Sequence, residues 1–152
     1  FEIRQILRHK KRFLDLLLLA DEQESMIDLY LERGEMFALY DQNILKTICV
    51  VTDEGGKTIE LKNIATDPQY QKQGYGKRLI RFISEHYAGK YDTLLVGTGE
   101  SPLTIPFYAQ NGFKYSHRIK DFFTDNYDHP IYEDGKQLVD MVYLRKELSK
   151  SK

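Results

Sequence analysis

The chain has 152 residues, 41% of them hydrophobic, and a formal net charge of -1 from 22 basic and 23 acidic side chains. That is length enough for one domain with a real core, and the near-neutral balance argues against a nucleic-acid or membrane-surface partner; the longest apolar run, Leu16 to Ala20, falls far short of a bilayer span. The single cysteine excludes an internal disulfide, the four histidines are too dispersed for metal-ligand spacing, and no signal-type segment is visible, so a cytoplasmic, metal-free protein is expected.

Glu2 to Ile6 reads as a short strand. Arg12 to Ala20 and Glu24 to Leu31 carry helical apolar spacing (Phe13, Leu16, Leu17, Ala20; then Met26, Ile27, Tyr30), with Gly34 as a stop. The basic group Arg8, Lys10, Lys11 and Arg12 reads as a solvated helix face. Glu35 to Tyr40 and Ile44 to Thr52 are strands joined at Asp41-Gln42-Asn43, and Cys49 falls on the second as a core residue. After the turn Asp53-Glu54-Gly55-Gly56, Thr58 to Thr66 is a third strand, broken by Asp67-Pro68. Gly74 to Tyr87 is the strongest helix, with Leu79, Ile80, Ile83 and Tyr87 on one face. A strand at Thr93 to Val96, a short helix at Leu103 to Asn111 and strands at Phe113 to Ile119 and Val139 to Leu144 complete the chain. Pro106 is tolerable only in a first turn, so that short helix must begin near Thr104. Antiparallel hairpins followed by one β-α-β crossover predict an α/β (α+β) fold. Its mixed, mostly antiparallel sheet would have about six to seven strands, flanked by helices, as a single domain over residues 1–152.

The segment Gln71-Lys72-Gln73-Gly74-Tyr75-Gly76 lies between a strand and the strongest helix. Two glycines there let a backbone come close to an anion, toward which the helix's unpaired first-turn N–H groups point. The stretch resembles the acetyl-CoA signature of the GNAT superfamily of N-acetyltransferases, Gln/Arg-x-x-Gly-x-Gly/Ala. A second segment, Ile105-Pro-Phe-Tyr-Ala-Gln-Asn-Gly-Phe113, resembles that family's Tyr-x-x-x-Gly-Phe signature, and the order of elements is also that of the family.

The resemblance implies a fold and a set of roles. Gln71, Lys72, Gln73, Gly74, Tyr75 and Gly76 would hold the CoA pyrophosphate, with help from Lys77, and the main chain at Ile64, Ala65 and Thr66 would pair with the pantetheine arm. Tyr108 falls on the usual general-acid position; Glu60, on the strand leading to the loop, is the candidate base, acting directly or through water, unless it is only a salt-bridge partner of Lys62. Ser101 stands seven residues before Tyr108, where the family often has a cofactor-contacting asparagine. Strand alternation puts Glu60, Lys62 and Ile64 on one face.

Asp121 to Asp140 is a long connection holding six acidic residues, one lysine and four aromatics. It reads either as the wall of an acceptor site for a cationic small molecule or peptide amine, or as a segment packing its own aromatics or contacting a second copy in a homodimer. The functional expectation is an acetyl-CoA-dependent N-acetyltransferase acting on an amine substrate by direct transfer. The rival is a non-catalytic acyl-CoA sensor working through a protein partner, which would need neither Tyr108 nor Glu60.

Overall fold

A computed structural model describes residues 1–148. Nine strands run in chain order: β1 (Glu2–Ile6), β2 (Glu35–Asp41), β3 (Ile44–Gly55), β4 (Thr58–Thr66), β5 (Thr93–Gly99), β6 (Lys114–Ile119), β7 (Tyr132–Glu133), β8 (Lys136–Gln137) and β9 (Met141–Glu147). The helices are α1 (Leu14–Ala20), α2 (Glu24–Ile27), α3 (Tyr75–Tyr87), α4 (Ile105–Gln110) and α5 (Phe122–Asn126). Seven strands form one sheet in the order β1-β2-β3-β4-β5-β9-β6, antiparallel throughout except for the β4–β5 pair, which α3 connects. The expected mixed sheet and its crossover are therefore present.

Each face of the sheet has its own core. On one, α3 seats Leu79, Ile80, Ile83 and Tyr87 against Phe37, Cys49, Leu61 and Val96; full burial of each large apolar side chain stabilises the fold by about 1.5–3 kcal/mol. On the other, α1 and the α2 region pack Leu17, Ile27 and Leu31 against Met36, Ile48 and Val50. Cys49 is fully buried as expected, and that burial pushes its thiol pKa far up.

Three local expectations change. The second helix ends at Ile27 rather than Leu31, giving way to successive turns. Lys10 is 5% exposed, not solvated, because its ammonium donates to the carbonyls of Leu31 (3.0 Å) and Gly34 (2.7 Å) and so satisfies the groups those turns leave unpaired. The Asp121–Asp140 connection contains α5 and the small β7–β8 hairpin, packed around Phe123, Ile131 and Leu138.

The fourth difference positions the site. Val50 pairs with Asn63 but Val51 pairs with Leu61, so Lys62 is an extra residue, a bulge in β4. Before it, Ile59 and Leu61 face α3. After it, Asn63 and Ala65 face α1 while Ile64 packs on the α3 side. Glu60, Lys62 and Ile64 thus do not share a face: the extra residue inverts the alternation.

Candidate active site

The bulge falls where the sheet comes apart. β4 and β5 are paired only from Thr58 with Thr93 to Leu61 with Val96. Beyond that register β4 continues to Thr66 and β5 to Gly99 without pairing to each other, since an inserted residue bends and twists its strand. The gap leaves main-chain groups of Ile64, Ala65 and Thr66 with no strand beside them. A ligand with amide groups can pair there as a strand would. Two acceptors are already taken: Thr47 Oγ1 donates to the Ala65 carbonyl at 2.8 Å, and Gln71 Nε2 donates to the Thr66 carbonyl at 3.2 Å and ties the following loop to the strand end.

That loop has the conformation its glycines anticipate. Lys72 (φ 62°) and Gly74 (φ 88°) both sit in the left-handed region, an uncommon one for a lysine and the kind of strain that collects at ligand sites. α3 begins directly after Gly74 with no side chain capping it, which leaves its first-turn N–H groups for an anion. A side chain at Gly74 would meet nothing within 4 Å, so the backbone is open on that side. The Tyr75 hydroxyl donates to Asp41 Oδ2 at 2.9 Å and anchors the turn to the β2–β3 hairpin. Gly76 faces α4, with Phe107 3.5 Å from where its Cβ would stand, an ordinary contact distance. Gln73 reaches back to the Gln69 carbonyl at 3.5 Å. Lys77 also lines a separate groove of about 340 Å³, together with Arg81 and Lys146. The residues present suit the phosphate and amide groups of CoA.

A cavity of about 390 Å³ occupies the gap. Its inner end is formed by Lys62, Asn63, Ile64 and Gly97, and Tyr108 of α4 lines it too. Tyr108 is 8% exposed, held edge-on between Phe107 and Phe113 at ring separations of 5.2 and 5.6 Å. Burial, and then the negative charge of Glu133, push its phenol well above its ordinary pKa, so it keeps its proton at neutral pH. Among the described residues no side chain or carbonyl hydrogen-bonds that hydroxyl.

Glu60 lies behind this wall. It is 7% exposed, its Oε2 is 3.2 Å from Lys62 Nζ, and it accepts a 3.3 Å hydrogen bond from Tyr143. Burial raises its pKa and outweighs Lys62, which lowers it, so the net shift is upward. Ser101 is 3% exposed, and its Oγ accepts from the Leu103 N–H at 3.1 Å.

The opposite wall comes from the end of α1 and from the Asp121–Asp140 segment. It includes Asp21, Glu22, Tyr127, Tyr132 and Glu133. Asp21 accepts from Tyr30 (3.0 Å) and Tyr127 (2.6 Å), and so clips the segment to α1. Neither Asp21 nor Glu133 stood out by itself in the sequence. The available signal was the pair Gly97 and Gly99 in β5, since glycine inside a strand marks a close approach. A Cβ at Gly97 would lie 2.9 Å from Met141 Sδ of β9, and one at Gly99 2.5 Å from Leu138, so the segment approaches β5 closely at Gly99.

A split parallel pair, a glycine loop at a helix start and a buried tyrosine in the split define an acyl-CoA-dependent transferase. A family model described as "Acetyltransferase (GNAT) domain" matches residues 32–115. A Bacillus subtilis protein named as the uncharacterized N-acetyltransferase YvbK is 39% identical over 137 residues, 88% of each chain. A GNAT family acetyltransferase from Elizabethkingia anophelis, crystallised with acetyl-CoA bound, superposes with a TM-score of 0.89 at 34% identity over 97% of both chains. A Bacillus subtilis acetyltransferase in complex with CoA gives 0.88 at 35% identity over 97% of this chain and 98% of its own. The chain belongs to the GNAT family of acetyltransferases, and it is an acetyl-CoA-dependent acyltransferase. Among the described residues no helix is long and apolar enough to cross a membrane.

Proposed function

We propose that this protein moves the acetyl group of acetyl-CoA to a primary amine by direct attack within a ternary complex, the acceptor being a cationic small molecule or a peptide amine. The observation that carries this reading is the Tyr108 hydroxyl, proton-bearing and without a protein partner, on the wall of the cavity that fills the strand gap. CoA would run along the gap, its pantetheine beside Ile64, Ala65 and Thr66 and its pyrophosphate on the loop Gln71–Gly76, with Lys77 and Ser101 at the periphery. The neutral amine attacks the thioester carbonyl carbon, the C–S bond breaks, and the departing sulfur takes the Tyr108 proton. Glu60, paired with Lys62 and absent from the cavity lining, does not reach the amine directly. That pair also neutralises the lysine that would otherwise repel an ammonium.

The test begins with thermal unfolding with and without acetyl-CoA. Ligand at 100 times its dissociation constant adds about 2.7 kcal/mol of stability. Thiol release is then followed with primary amines as acceptors. Absence of a thermal shift at millimolar acetyl-CoA, or of thiol release with every amine, would overturn the reading.

A further inference from the structure

The hairpin β7–β8 has no part in holding CoA on the reading above, yet it delivers a carboxylate to the reaction cavity. We propose that it completes an acceptor site for a primary ammonium on an apolar or aromatic body, with Glu133 as the carboxylate that binds the ammonium and takes its proton. This rests on the acetyl-transfer reading and names its substrate class and base.

Four observations carry it. Glu133 and Tyr108 line the same cavity and are near enough for the carboxylate's charge to act on the phenol. Of the other carboxylates, both oxygens of Asp21 are held by Tyr30 and Tyr127, Glu60 is off the wall and paired with Lys62, and Glu22 is exposed at the rim just past α1. The surrounding wall is apolar or aromatic, with Leu19, Phe123, Tyr127, Ile131 and Tyr132. Asn63, 3% exposed, lines the cavity as well, and its Oδ1 has no hydrogen-bond partner among the described residues. It is an acceptor that a donor-rich ligand such as an ammonium would suit.

The proton path closes. R–NH3+ gives a proton to the Glu133 carboxylate, the resulting R–NH2 forms the C–N bond, and the thiolate of CoA is protonated by Tyr108. The attacking nitrogen, cationic after C–N bond formation, loses its second proton to solvent as the neutral amide forms, and Glu133-COOH and the Tyr108 phenolate are reset by proton exchange with solvent. Burial, Glu22 from the end of α1 and Asp134 in the hairpin turn favour the protonated carboxyl, while the Ser101 hydroxyl favours the carboxylate. Tyr108 on α4 is neutral, and Lys62 on β4 is engaged by Glu60. A carboxyl poised in this way is a better proton acceptor than a solvated one.

The probes are phenethylamine and its neutral analogue 2-phenylethanol, titrated calorimetrically into CoA-saturated protein, with acetyl transfer to phenethylamine followed against pH. Phenethylamine should bind at least tenfold more tightly than the alcohol. Glu133→Gln should erase that preference and remove the acidic limb of kcat/KM, while CoA affinity and the unfolding midpoint stay unchanged. Glu133→Asp should retain the limb at reduced kcat, and Glu60→Gln should retain it too. Equal affinity for amine and alcohol, no binding of phenethylamine, or an unaltered pH profile in Glu133→Gln would overturn the proposal. If acetyl-CoA binds and amines are acetylated while Glu133→Gln behaves as wild type, only this inference falls; if acetyl-CoA does not bind, the acetyl-transfer reading falls first.

Discussion

The two walls of the proposed site are built from different materials. The cofactor wall is main chain: a strand edge left open by one inserted residue, and a loop whose left-handed Lys72 and Gly74 turn helix N–H groups outward. The acceptor wall is side chain: Asp21, Tyr127, Tyr132 and Glu133, brought together by a hydrogen bond spanning 106 residues and by the close approach of Leu138 to Gly99 of β5. A backbone device recognises what all its ligands share, such as phosphates and amides. A side-chain device can be respecified by a few substitutions without disturbing the first.

That division can be broken at four points of decreasing effect. Tyr108 serves both walls, so Tyr108→Phe should lower kcat by about 10²–10⁴-fold while acetyl-CoA affinity stays within about twofold; steady-state kinetics beside calorimetry checks this, and full turnover would remove the tyrosine from the acid role. Gly74→Val should act on the cofactor wall alone. Forcing a β-branched residue to φ 88° costs about 1–2 kcal/mol, and side-chain bulk where the phosphate approaches adds to it, so acetyl-CoA affinity should fall about tenfold or more; unchanged affinity would reject the loop as the phosphate site. Tyr127→Phe should act on the acceptor wall alone, raising the amine KM by about three- to tenfold through loss of one hydrogen bond to Asp21, with CoA binding intact. An equal loss for CoA would mean the walls are not separable.

The smallest effect concerns stability at the seam. The Glu60 carboxyl has its pKa raised by burial above the ordinary 4.5, so the folded chain holds that proton more firmly than the unfolded one. Its contribution therefore favours folding at acid pH and is lost as pH rises from 4.5 through the folded pKa. Glu60→Gln should flatten this decline, seen as a shallower fall of the unfolding midpoint over that window; a slope identical to wild type would mean another group causes it.

The same division explains what the sequence disclosed. A backbone site needs particular residues in succession, so Gln71 to Gly76, the preceding strand and the α3 stripe were readable together, as was the start of α4 imposed by Pro106. The acceptor wall depends on contacts between distant segments. Asp21 looked like any helix-terminal aspartate, and β7 and β8, two residues each, are too short to show alternation. The Lys62 bulge is visible only in register, so strict alternation misplaced Ile64. Lys10 failed for a related reason: its partners are carbonyls left bare by turns some twenty residues away.

The order of strands carries a consequence for biosynthesis. β9 lies between β5 and β6 and is the sole sheet partner of β6, although it is made after both. Until β9 has emerged, β5 and β6 have unpaired edges, and the nascent chain can complete its β1–β4 meander but not the half that carries Tyr108. Tyr108 is packed in place only by a strand made after it, through Val142 and Leu144.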